Sequence, residues 1–71
     1  METQKLTTKD VKRYLNGLNP VTLDETQRML NQLDRMWQWE IAGKGRYSVL
    51  KLIDRKSNEL YRRAAKLVQH G

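Results

Sequence analysis

The stretch that decides the fold is TLDETQRMLNQLDRMWQWEIAGKGRYSVLKLI, residues 22–53. Thr22 and Glu25 open it as a T-x-x-E capping box, and Asp24 and Glu25 sit where the positive end of a helix dipole favours carboxylates. Thr26, Met29, Leu30, Leu33, Met36, Trp37 and Ile41 follow at i, i+3, i+4 and i+7 spacing. At 100° per residue they form one stripe about 140° wide, a normal buried face. Asp24 and Arg28 are an i,i+4 ion pair on the opposite side. Gly43 or Gly45 stops the helix. Val49, Leu50 and Ile53 then restart the same periodicity, so the stretch reads as a helical hairpin with GKGR as its turn.

Downstream, the chain runs from Arg46 to Gln69 without Gly or Pro. Val49, Leu50, Ile53, Leu60, Tyr61, Ala64, Leu67 and Val68 share a face, with Ser57 inside it. One helix is the simplest reading. A break at Ser57–Asn58 is the alternative, because either residue can cap a new helix. Upstream, Thr7 and Asp10 form a variant capping box, and Leu6 and Val11 are spaced as a hydrophobic staple. Val11, Tyr14, Leu15 and Leu18 give the helical stripe, which NGLNP ends at residues 16–20. The expected helices are 8–16, 22–42 and 46–69. No alternating run predicts a strand. The expected fold is all-α: a short N-terminal helix and a long helical hairpin, a single three-helix bundle.

Size and composition narrow the function. A chain of 71 residues with 38% hydrophobic residues is one small domain, of a size that buries only about 60% of its unfolded surface. That leaves room for a homodimer that covers part of the apolar face. Without cysteine there is no disulfide framework, thiolate metal site or cysteine nucleophile. A single histidine, His70, does not make a zinc site. No run is apolar enough to span a membrane, and METQKLTTKD lacks the apolar middle of a signal peptide, so a cytoplasmic protein is expected.

An enzyme is not expected, nor a cofactor. No nucleophile–base pair or carboxylate pair is evident. Glu40 falls inside the apolar stripe of the second helix. A shielded catalytic carboxylate is one reading; the favoured one is a final-turn side chain that reaches solvent or pairs with Lys44 or Arg46. GKG is not a nucleotide loop, since no strand precedes it and no G-K-[ST] follows. It reads as a helix end and turn whose Lys44 and Arg46 could add one phosphate contact at a helix N-terminus.

Charge gives the strongest functional signal. The net charge is +6. Lys5, Lys9, Lys12, Arg13, Arg28 and Arg35 balance Glu2, Asp10, Asp24, Glu25, Asp34 and Glu40, so the whole excess lies in residues 43–71. There, Lys51, Arg55, Arg62 and Lys66 fall within about 60° on the helical wheel; Lys56 and Arg63 extend that face on one side, and Glu59 interrupts it. Such a helix can pack inward and present cations outward, as phosphate binding requires. The first expectation is a non-enzymatic nucleic-acid-binding module, for DNA in preference to RNA, with Asn58 the best-placed base-reading residue. The second is an adaptor or inhibitor, of the kind common among phage and plasmid accessory proteins, docked on an acidic protein surface. Its apolar anchors would be Met36, Trp39 and Tyr47. Trp37 is assigned to the core. Trp39, about 60° outside the stripe, is either an interface anchor or a cover over the turn against Tyr47. Tyr14 and Tyr61 are placed at core edges.

Overall fold

The structure, a computed structural model, describes residues 5–70. It is an all-α three-helix bundle: α1 (Thr8–Asn16), α2 (Leu23–Ala42) and α3 (Tyr47–His70). There is no strand among the described residues. Each boundary follows from local chemistry. The Thr7 side chain accepts from the Asp10 N–H at 3.1 Å, and the Asp10 carboxylate accepts from the Thr7 N–H at 3.2 Å, completing the box. Those hydrogen bonds, first the one from the Thr7 backbone and then the one with its side chain, hold the Asp10 carboxyl below its ordinary pKa.

At the start of α2 the box is shifted. Thr22 accepts from the Glu25 N–H at 3.1 Å, but the Glu25 carboxylate takes the N–H of Val21, one residue earlier than expected. The end of α2 uses both glycines. The Gly43 N–H reaches the Trp39 carbonyl, and the Gly45 N–H reaches back to the Glu40 carbonyl at 2.6 Å. Gly45 has φ +58°, the left-handed region that a side chain disfavours. α3 does not break at Ser57–Asn58. Its 24 residues span about 36 Å, close to the 39 Å long axis of the molecule.

Val11, Leu15, Leu33, Met36, Val49, Ile53 and Leu60 form the core, all buried. α3 is its spine. α2 runs antiparallel to it, as the short turn demands. α1 runs parallel to it: the Arg46 guanidinium binds the Leu6 carbonyl, Thr8 hydrogen bonds Ser48 at 3.1 Å, and Arg63 binds Asn19 beyond the far end of α1. These three links place α1 on one flank of α3 only. α1 has only nine residues, so the other flank of the α2–α3 hairpin is uncovered.

That asymmetry corrects the expected stripes. On α2 the fully buried positions are Thr26, Leu33, Met36 and Glu40, so the buried axis runs through two polar residues. Thr26 is satisfied by donating to the Thr22 carbonyl at 2.7 Å. Ile41, expected inside, is 55% exposed, and Leu30 and Trp37 are half-buried on the same flank. On α3, Tyr61 and Val68 are also mostly exposed rather than buried. Tyr61 lies on the uncovered flank, and Val68 is near the helix end, so neither meets a facing helix.

Candidate nucleic-acid interface

The basic residues expected to form one surface divide into two groups. Arg46 belongs to the interior. Glu40 is fully buried, and its carboxylate receives Arg46 Nη2 at 2.9 Å, Arg46 Nε at 3.3 Å and the Arg46 backbone N–H at 3.3 Å. Arg46 Nη1 donates to the Leu6 carbonyl at 2.6 Å. The guanidinium therefore ties the end of α2, the turn and the segment preceding α1 into one knot. Its fork geometry suits this: several rigid donors meet a carboxylate and a carbonyl at once. Glu40 pairs with Arg46, as favoured from sequence, but it does so inside the protein and does not reach solvent. An isolated carboxylate there would be strongly disfavoured; the ion pair and hydrogen bonds make its burial tolerable.

Lys56 and Arg63 are also committed within the chain. The Lys56 side chain is only 11% exposed and meets Glu59 at 2.8 Å. Hydrogen bonding from Lys56, with the field of Arg63 added, holds the Glu59 carboxyl below its ordinary pKa. Arg63 donates to Asn19 Oδ1 at 2.6 Å and lies 3.6 Å from Glu59, fastening α3 to the α1–α2 connection. Arg46 and Arg63 therefore link separate segments of the chain, and Lys56 is paired along α3 itself. The helical wheel already sets Lys56 and Arg63 at the edge of the basic face; what it does not record is that Asn19 and Glu40 stand opposite Arg63 and Arg46.

Lys44, Lys51, Arg55, Arg62 and Lys66 form the second group. All five are exposed, and none has a carboxylate within salt-bridge distance among the described residues. Four of them make a row on α3, opposite the line of Val49, Ile53 and Leu60. From Lys51 to Lys66 the row is about 22 Å long. Ser48, Asn58 and Gln69, all exposed, lie on the same face. Thr8 of α1 bonds Ser48 on the edge of the row, so the start of α1 lies beside the turn end of the row.

The expected protein anchors are also rearranged. Met36 is fully buried and cannot anchor a partner; it lies on the inward axis of α2 between Leu33 and Glu40. Trp39 is half-buried and packs against the core. Tyr47 is 77% exposed, as an anchor requires. Trp37, expected in the core, is half-buried: it packs against the core from one side and with the other lines two hollows along the uncovered side of the hairpin. The side chain of His70 lies outside the described residues.

No helix of the described residues is long and apolar enough to cross a membrane. Comparison of the chain with protein-family models, with curated proteins and with solved structures gave no match.

Proposed function

We propose that the protein is a non-enzymatic nucleic-acid-binding module that grips the phosphates of duplex DNA through the outer row of α3. Lys51, Arg55, Arg62 and Lys66 form the row, and Lys44 adds a cation at its turn end. One observation carries this reading. Arg46, Lys56 and Arg63 are used up by Glu40, Glu59 and Asn19, whereas the row residues are exposed on one face with no counterion among the described residues. Solvated helices ordinarily mix their signs, whereas this row is uninterrupted along its centre. Affinity would come from displaced counterions, with Asn58 adding modest base preference.

The test is binding of a labelled DNA duplex at about 50 mM and about 200 mM salt. Four to five phosphate contacts give a slope near about −4 in log K against log salt, a loss of about a hundredfold or more between those conditions. Reversing Arg55 and Arg62 to Glu should abolish binding. No binding at the lower salt would refute the proposal. A competing assignment, docking on an acidic protein surface with Tyr47 as apolar anchor, uses the same cations. It would be favoured if Tyr47→Ala removed partner binding while DNA failed to bind.

A further inference from the structure

The uncovered flank of the α2–α3 hairpin has a chemistry distinct from the cationic row. Two adjoining hollows run along it. One is lined by residues including Leu30, Trp37, Asp34, Asp54 and Tyr61; the other by Trp37, Tyr47, Leu50, Lys51 and Asp54. They share Trp37 and Asp54, so they form one groove. Its walls are aromatic and aliphatic, and Tyr47 and Tyr61 are 77% and 62% exposed. Its rim carries charges of both signs. Among the described residues, Asp34 and Asp54 have no cation within salt-bridge distance. Lys51 likewise has no carboxylate there, although Lys51 and Asp54 are only three residues apart on α3.

We propose that this groove is the docking face for a second copy of the chain. The argument is charge self-complementarity. A uniformly acidic partner would meet Asp34 and Asp54, and a uniformly basic one would meet Lys51. A two-fold axis across α3 near residues 51–54 sets Lys51 of each copy against Asp54 of the other, and Trp37 and Tyr61 are covered at the same time. An isologous contact of this kind makes each pair twice. It also removes from water the large side chains that α1 is too short to cover. Lys51 stands where the groove meets the cationic row. The inference does not rest on nucleic-acid binding.

Sedimentation of the full chain over a concentration series tests it. The wild-type chain should pass from monomer to dimer. Asp54→Lys alone and Lys51→Asp alone should each weaken self-association at least about tenfold, because like charges then face one another across the axis. Mixing the two variants should restore a dimer, now of one copy of each. The first variant presents only lysines at the axis and the second only aspartates, so every facing pair is again of opposite charge. Helical circular dichroism shows that both variants remain folded; if either loses helicity, Tyr61→Glu on the same exposed wall replaces it and should give a monomer. A wild-type chain that stays monomeric at all concentrations overturns the proposal. So does a variant mixture that fails to pair, or a dimer that survives the substitutions unchanged.

Discussion

Arg46 and Arg62 are the same residue type, and both lie in the cationic half of the chain, yet they occupy opposite situations. The Arg46 side chain is 22% exposed and joined to a buried carboxylate and a main-chain carbonyl. Arg62 is exposed on the outer face of α3 with no ion-pair partner among the described residues. The difference teaches that net charge is a poor count of binding residues. Part of a basic protein's charge is used within its own fold, and only the remainder is available to a partner. In this protein Arg46, Lys56 and Arg63 belong to the first portion, and Lys44, Lys51, Arg55, Arg62 and Lys66 to the second.

The contrast can be broken most sharply at Arg46. Replacing it with Met leaves Glu40 buried without its main partner, which should cost about 3–5 kcal/mol. Urea denaturation would measure this directly, and a loss below about 1 kcal/mol would mean that Glu40 finds other donors. The turn that presents Arg46 to Glu40 comes next. Gly45→Ala forces a side chain into left-handed backbone and should cost about 1–2 kcal/mol. Gly17→Ala is its control: φ is −80° there, and the added carbon meets the Tyr14 carbonyl at 3.4 Å, so stability should hold or rise. The rise would be at most about 1 kcal/mol.

The Thr7–Asp10 box anchors the helix whose preceding residue, Leu6, receives Arg46. Thr7→Ala should cost about 1 kcal/mol by thermal denaturation. The box also predicts an acid response. The Asp10 carboxyl titrates lower in the folded chain than in the unfolded one, so its stabilising effect is complete above the ordinary value of 3.8. That effect is lost as the pH falls from there through the lowered folded value. Glu59 acts in the same sense through Lys56. Acid titration should therefore loosen the wild type more than Asp10→Asn, which has already lost the charge; equal responses would remove Asp10 from this account.

The smallest effect on stability is expected where the effect on binding is largest. Arg55→Ala and Arg62→Ala should each change unfolding free energy by less than about 0.5 kcal/mol. Each should also reduce the salt slope of DNA binding by about one. If Arg62→Ala instead destabilised the fold as much as Arg46→Met, the division between internal and available cations would fail.

The pattern of legibility follows the range of the forces involved. Helix positions are readable within a residue or two, because caps, glycines and the 3.6-residue repeat act within a few residues of one another. Thr7, Thr22 and Gly45 do their work locally. The inward axis of α2 is readable in angle, since Thr26, Leu33, Met36 and Glu40 all fall inside the expected stripe, but its width is not: Ile41, expected inside, is exposed. Whether Glu40 can be buried depends on Arg46 crossing the turn, and on the segment before α1 returning to supply the Leu6 carbonyl.

By itself, then, the sequence determined an all-helical chain, its three segments, the hairpin turn and a cationic last helix, since each of these is written in near-neighbour spacing. Tertiary structure alone decided that Arg46 is consumed across the turn and that Arg63 reaches Asn19, that Trp37 borders an open groove while Met36 is sealed, and which flank of the hairpin is left uncovered. Those outcomes depend on what stands opposite a side chain, and a nine-residue α1 can stand opposite only one flank of the hairpin.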